Sequence, residues 1–227
     1  MRQPHPSTPP EGKPLKSSNE DFKTLVFAAT VCVTCSLLLS GTAAGLRNRQ
    51  QANEQFDVKR NIVKAFGIDI GSMKRSGIES TFEKHVSEAA VGDLSLFTWT
   101  DEGADAPSKY AFPISGKGLW SMLYGYLALN ADLETIAGLS FYKHLETPGL
   151  GAEIEKDWFQ SQFTGKKLYA DGAATEFAVV KPGTPPTDTS VDGISGATLT
   201  GKGVQALIRK DAAAYAEYFN QLKGNRE

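Results

Sequence analysis

The longest hydrophobic stretch of the chain lies near its N-terminus. Residues 25–46 read LVFAATVCVTCSLLLSGTAAGL and contain no charged side chain. At about 1.5 Å of rise per residue, a helix of this length spans a hydrocarbon core of roughly 30 Å. We therefore expect a transmembrane anchor over residues 21–46.

The flanks of this stretch bear on its processing and orientation. The small residues SGTAAG at its end are typical of a signal-peptide cleavage site. However, the stretch is longer than the usual signal core of about 7 to 15 residues, and it follows a long polar leader. A retained anchor is therefore favoured over a cleaved signal. Basic residues lie on both sides, and their balance slightly favours a cytoplasmic C-terminus.

The segments on either side of the anchor differ in character. Residues 1–20 combine several prolines with Ser, Lys and Glu and show no apolar periodicity, which predicts a disordered leader. Residues 47–66 are rich in helix formers and gain apolar positions towards their end. They predict a helical connector that extends the membrane helix and joins the folded domain.

The remaining residues, 67–227, form the predicted domain, and its middle part has the pattern of strands. Short segments rich in β-branched and aromatic residues occupy 96–100, 119–130, 135–144 and 175–180. The second and third are separated by a loop of hairpin length. We therefore expect a single α+β domain with a largely antiparallel sheet and packed helices.

The C-terminal segment changes to a helical period. Its apolar side chains recur every three or four residues, which predicts an amphipathic helix that packs on the sheet and begins near Thr198. The residues on this face are Val204, Leu207, Ile208, Tyr215, Phe219 and Leu222.

Composition limits the functions open to this chain. With 227 residues, 41% of them apolar, it is large enough for one medium-sized core. A net charge of −2 gives no overall attraction to nucleic acid, so we expect no such partner. The two cysteines, Cys32 and Cys35, both lie in the hydrophobic stretch, so no disulfide framework or zinc site is expected elsewhere. Packing in an apolar helix explains the pair better than metal binding, which requires ligands from another chain.

Residues 196–203, GATLTGKG, nearly match a Walker A loop. That loop requires Ser or Thr directly after its lysine, whereas Gly203 stands there. The segment follows an exposed Pro/Thr-rich stretch, and it lacks the paired glycines of a dinucleotide fingerprint. A P-loop is therefore not expected.

A glycine-rich turn that opens a helix is nevertheless suited to phosphate. Ser195, Thr198 and Thr200 offer hydroxyls beside the unpaired N–H groups of the first turn. The alternative is structural, with Ser195 capping the helix and the glycines forming the turn. The residues by themselves leave both interpretations open.

The heptapeptide DGISGAT, which ends at Thr198, resembles the D-G-x-S-G-A-T motif of FMN-binding domains that carry flavin covalently. The resemblance implies that a flavin transferase joins the FMN phosphate to the hydroxyl of Thr198 through a phosphoester. It also implies that Ser195, Gly196 and Ala197 belong to the cofactor site. Asp192 is then a determinant for the transferase and has no redox role.

Three further stretches, VCVTCSLLLSGTAAGLRNRQ, GKGLWSMLYGYLAL and ETPGLGAEI, resemble the C subunit of the bacterial sodium-translocating NADH:quinone oxidoreductase. With the motif they cover most of residues 21–210. The related Rnf-type electron-transport complex has a similar flavin-bearing subunit, and these stretches favour the sodium pump over it. A membrane-anchored phosphate- or nucleotide-binding module without redox function is the remaining alternative.

The resemblance implies a single-pass protein of the bacterial inner membrane, with a cytoplasmic N-terminus and a periplasmic flavin domain. This replaces the weak inference from the charge balance. The implied partners are the other members of an assembly of six subunits, a flavin transferase and membrane lipid. That assembly oxidises NADH, reduces ubiquinone and exports Na⁺. This chain passes single electrons within it and has no complete activity alone.

Three further residues are assigned to the flavin site. The loop HLETPGLG, residues 144–151, is similar to a flavin-facing loop of the family, with Thr147 and Leu150 towards the ring, although an ordinary turn also explains it. Lys202 lies one helical turn beyond Thr198, where its ammonium would be near a phosphodiester or simply solvated.

Other residues near these motifs are given structural roles. Trp120, Tyr124 and Tyr126 are expected to pack in the core, because strands alternate and the core needs large apolar groups. His144 is expected to be a surface residue at a strand end and not a proton carrier. We expect no catalytic residue and no metal site in this chain.

Overall fold

The computed structural model describes residues 18–92 and 94–225. The first 17 positions of the predicted leader lie outside these ranges. The chain divides into two compact units, one ending at Ala52 and the other beginning at Asn53.

A single long helix, α1 (Ser18–Ala65), contains all the described residues of the first unit and ends at Ala65, within the residue range of the second. Within the residues described, α1 is the helix whose length and composition would allow it to cross a membrane. The hydroxyls of Thr30, Thr34 and Thr42 each donate to the carbonyl four residues earlier, at 2.8 to 2.9 Å. These polar groups are therefore satisfied inside the helix, as an apolar environment requires.

The second unit is built around a five-stranded antiparallel sheet in the order β1-β2-β3-β4-β5. The confirmed fold class is thus α+β with an antiparallel sheet. A helix precedes the sheet, and the strands follow each other along the chain: α2 (Arg75–His85), β1 (Val86–Val91), β2 (Leu94–Trp99), β3 (Lys109–Lys117), β4 (Met122–Asn130) and β5 (Ile136–Lys143).

Short elements connect the sheet to the C-terminal helix. Two 3-10 turns (Gly151–Glu155 and Ser161–Phe163) flank α3 (Asp157–Gln160). Two small two-stranded sheets follow. In the first, β6 (Tyr169–Ala170) and β7 (Ala173–Ala174) are antiparallel, and in the second, β8 (Ala178–Val180) and β9 (Ser190–Asp192) are parallel. The last element is the helix α4 (Thr198–Gly224).

The sheet is covered on both faces. Because side chains alternate along a strand, Phe112 of β3 joins the cluster that contains Phe219 of α4. Its neighbour Ala111 joins a second cluster with Ile62 and Phe66 at the end of α1. Residues of the predicted connector thus supply part of the core.

Two glycines allow α4 to approach β3 closely. A Cβ at Gly116 of β3 would lie 2.5 Å from Cβ of Leu207, and one at Gly203 would lie 2.5 Å from the carbonyl oxygen of Lys117. Any larger residue would push the helix away from the sheet. These contacts bring the first turns of α4 to the turn between β3 and β4.

The sequence pattern missed α2, β1 and β3, and placed the start of β4 too early. In β3 the segment KYAFPISGK contains a proline and several small or polar residues, which disfavour a strand. Pairing with β2 ends at Ala111, so Pro113 has a partner strand on one side alone. There its missing N–H breaks no second ladder.

Candidate functional site

The site centres on the N-terminus of α4. The chain leaves β9 at Asp192 and turns at Gly196, whose φ of +75° suits glycine. The helix then begins at Thr198, so most of the GATLTGKG segment is helical and forms no open phosphate loop. A serine at position 203 would also meet the carbonyl of Lys117, which explains the glycine found there.

No side chain among the described residues caps this helix. The N-cap residue is Ala197, and the helix start has no side-chain cap hydrogen bond. Ser195 is exposed and makes no cap hydrogen bond, so the prediction that it caps the helix is wrong, whereas the predicted turn at a glycine is present at Gly196. The N–H groups of the first turn are therefore available to an anion.

The three hydroxyls near this turn have different environments. Ser195 and Thr198 are exposed. Thr200 is fully buried, and its hydroxyl donates to Oε2 of Glu146 at 2.7 Å. Thr200 is therefore committed to an internal contact, whereas Thr198 is open to chemistry.

Glu146 is a site residue that sequence reasoning missed. It is 5% exposed, and its Oε1 accepts the backbone N–H groups of Trp120 and Ser121, at 2.9 and 3.3 Å. Burial by itself raises the pKa of this carboxyl, but the hydrogen bonds that it accepts outweigh burial and hold the pKa below its ordinary value. The available signal was an acidic residue inside the glycine- and proline-containing loop HLETPGLG.

The loop of residues 144–151 folds as a turn and meets the start of α4. The carbonyl of Thr147 accepts the N–H groups of Leu150 and Ala152, both at 3.1 Å. The side chain of Leu150 lies beside Gly196, where a Cβ would come within 2.9 Å of Leu150 Cδ2. The structure thus brings Leu150 to the turn before Thr198, and Thr147 is exposed on the same loop.

Exposed apolar side chains lie on the three segments that Glu146 joins. Leu145 is 82% exposed, Trp120 71% and Leu199 56%. The core prediction for Trp120 is wrong, because the residue lies in the turn before β4 and not in the strand. The prediction is confirmed for Tyr126, which is buried and stacks on Tyr142. Tyr124 is half-buried.

Asp192, Lys202 and His144 complete the set of predicted residues. The carboxylate of Asp192 accepts the N–H of Gly183 at 3.2 Å and so holds a neighbouring turn. Lys202 is exposed one helical turn beyond Thr198. The side chain of His144 is 9% exposed, with Nε2 3.4 Å from Glu155, so the expectation of a surface residue is wrong.

This arrangement fits a phosphorylated planar cofactor. The uncapped start of α4 suits the phosphate, and the exposed apolar groups beside it suit an aromatic ring. Gly196 leaves room for Leu150 to approach the turn.

Comparison with known proteins agrees with this geometry. Residues 118–212 match the model of the FMN-binding domain, a range that includes all three segments held by Glu146. The chain is 33% identical to the C subunit of the Na(+)-translocating NADH-quinone reductase of Vibrio alginolyticus, over 84% of this chain and 90% of that protein. The protein of the same description from Pseudomonas aeruginosa is 30% identical, over 86% and 92%.

Solved structures show the same fold. The C subunit of the Na(+)-translocating NADH-quinone reductase from Parabacteroides distasonis is 32% identical, with a TM-score of 0.68, and the match covers 77% of this chain and 96% of that one. Shewanella oneidensis NqrC is 26% identical with a TM-score of 0.67, and the match covers 76% and 99%.

Proposed function

This chain belongs to the family formed by the C subunit of the Na(+)-translocating NADH-quinone reductase, and we propose that its FMN is bound covalently to Thr198. The chain is an FMN-carrying subunit of that oxidoreductase complex. The attachment is a phosphoester between Oγ1 of Thr198 and the FMN phosphate. The activity of the reductase belongs to the complex, and this chain has no complete activity alone.

The observation that carries the proposal is the contrast among the hydroxyls at the start of α4. Thr198 is exposed on a helix turn without a side-chain cap, whereas Thr200 is buried on Glu146. Ser195 lies before the helix and is also exposed, so its hydroxyl is the second candidate for the flavin acceptor. The match of DGISGAT to the flavin-attachment motif selects Thr198 between the two exposed hydroxyls.

The surrounding residues have complementary roles towards the cofactor. The backbone at Ser195, Gly196 and Ala197 and the first N–H groups of α4 favour the phosphate charge. The exposed side chain of Leu150, with Thr147 on the same loop, would border the flavin ring and limit its contact with water. When bound, FMN supplies one-electron redox chemistry, and these residues bind and orient it.

Maturation requires a flavin transferase. Oγ1 of Thr198 loses its proton and forms the new bond to phosphorus, while the phosphoanhydride bond of a flavin dinucleotide donor breaks and the nucleoside monophosphate leaves. The hydroxyl must therefore be accessible, as it is here. Asp192 acts as a recognition determinant for the transferase. Its carboxylate holds the turn at Gly183, which shapes the surface that precedes the motif. The ammonium of Lys202 offsets the phosphodiester charge.

The membrane arrangement is part of the proposal. The apolar stretch of α1 anchors the chain in the inner membrane, with the N-terminus in the cytoplasm and the flavin domain in the periplasm. The partners are the other subunits of the reductase, the flavin transferase and lipid.

Mass spectrometry tests the attachment directly. The full chain is co-expressed with a flavin transferase, denatured, and examined for in-gel flavin fluorescence and for a flavin-bearing peptide. We expect fluorescence in the unsubstituted chain and in Thr200→Ser, and none in Thr198→Ala. A flavinylated peptide from the Thr198→Ala chain would refute the assignment.

A further inference from the structure

We infer that Glu146 is the positioning residue of the flavin site, holding its three segments together while placing a fixed negative charge beside them. The inference rests on the proposed function, because it takes the start of α4 as the place of attachment. Glu146 itself forms no bond to the cofactor in this scheme.

The carboxylate connects segments that are far apart in the chain. Oε1 accepts from Trp120 and Ser121, which are 26 and 25 residues away, and Oε2 accepts from Thr200, which is 54 residues away. These two segments and the loop of Glu146 itself also each carry an exposed apolar residue, namely Trp120, Leu199 and Leu145. The relative positions of these segments therefore depend on one side chain, that of Glu146.

Two glycines make a socket for this carboxylate. A Cβ at Gly118 would lie 2.6 Å from Oε1, and a Cβ at Gly151 would lie 2.7 Å from Oε2 and 2.6 Å from Oγ1 of Thr200. Since neither position has room for a side chain, the segments close tightly around the carboxylate. A packed and hydrogen-bonded carboxylate of this kind fixes loops more firmly than neutral contacts do.

The charge of Glu146 adds an electrostatic effect. The carboxylate is nearly shielded from water, where a charge acts on its neighbours with little screening. A fixed negative charge disfavours the addition of electrons nearby. It therefore lowers the potential at which a flavin on Thr198 is reduced.

Hydrogen exchange on the flavin-free full chain in detergent tests the positioning role. Glu146→Ala should raise amide exchange roughly tenfold or more in both segments 118–121 and 198–201, because it removes hydrogen bonds to a charged group. Glu146→Gln should stay within about threefold, since its amide oxygen accepts the backbone N–H groups and its amide N–H donates to Thr200. The matched control is Glu217→Gln, which makes the same change at an exposed position on α4. Equal exchange in Glu146→Ala and in the control would overturn the proposal.

Thr200→Val keeps the test decisive if Glu146→Ala does not fold. This variant removes the link to α4 alone, so exchange should rise in 198–201 while 118–121 stays protected. A rise in both segments or in neither would contradict the arrangement of contacts.

The midpoint potential of the flavin tests the electrostatic effect of Glu146 separately from its positioning role. In chains loaded with flavin, both Glu146→Gln and Glu146→Ala should shift the midpoint potential to more positive values than Glu217→Gln. An unchanged potential in Glu146→Gln would overturn the electrostatic part of the proposal. If the unsubstituted chain acquires no covalent flavin, the proposed attachment to Thr198 is refuted. The hydrogen-exchange data on the flavin-free chain still test the positioning role of Glu146.

Discussion

Thr198 and Thr200 lie two residues apart on α4, yet Thr198 is exposed while Thr200 is fully buried and bonded to Glu146. A helix turns by about 100° per residue, so two residues place side chains on nearly opposite sides. One hydroxyl is therefore reserved for structure and the other is presented to solvent. This division supports the proposal that Thr198 is the flavin acceptor.

Replacing Thr200 by valine should leave the flavin on Thr198 but destabilise the domain by about 1–3 kcal/mol, because the buried carboxylate loses a donor. Thermal unfolding followed by near-UV circular dichroism measures the loss, and in-gel fluorescence measures the flavin. Thr198→Val is the matched control, because it removes an exposed hydroxyl and should leave the unfolding temperature nearly unchanged. Loss of covalent flavin in Thr200→Val with an intact fold would contradict the division of roles.

Replacing Gly203 by serine should restore the missing Walker residue without creating nucleotide binding, because the segment is helical. We expect instead a destabilisation of about 1–3 kcal/mol from the close approach to Lys117. Calorimetry with Mg²⁺ and ATP checks binding, and thermal unfolding checks stability. Gly224→Ser is the control, since a Cβ there meets nothing within 4 Å. Measurable nucleotide affinity in Gly203→Ser would count against this interpretation.

The stability of the site should decrease at low pH because Glu146 becomes protonated. Its pKa is lower in the folded state than the ordinary value of 4.5, so its contribution is complete above that value and is lost as the pH falls through the folded pKa. Protection of segments 118–121 and 198–201 in hydrogen exchange should therefore fall below about pH 4.5. In Glu146→Gln this dependence should be flatter. An identical acid profile in both proteins would exclude Glu146 as its source.

The anchor should be retained, with the C-terminal domain in the periplasm. N-terminal sequencing of membrane-purified chain should show the original N-terminus, and a mature chain that begins near Ala44 would mean a cleaved signal instead. A C-terminal alkaline phosphatase fusion should be active and a C-terminal green fluorescent protein fusion dark, because these reporters respond to opposite compartments. The reverse pattern would place the domain in the cytoplasm.

Local patterns were sufficient for several parts of the fold. The apolar stretch within α1, the strands around residues 96–100 and 135–144, and the start of α4 near Thr198 follow from periodicity over a few residues. The β3 strand was missed because Pro113 disfavours a strand locally. The proline is tolerated because β3 stops pairing with β2 at Ala111, which is a property of the whole sheet. Trp120 was misplaced because its position in a turn depends on where β4 begins.

The sequence by itself determined the membrane-length helix, the α+β class and the motif that ends at Thr198. The tertiary structure decided which hydroxyl is free and which segments surround it. The physical reason is the range of the contacts involved. Helix and strand periods are read within one segment, whereas the bonds of Glu146 to Trp120 and Thr200 join residues 26 and 54 positions apart. Such bonds form when packing brings the segments together, and no local pattern specifies them.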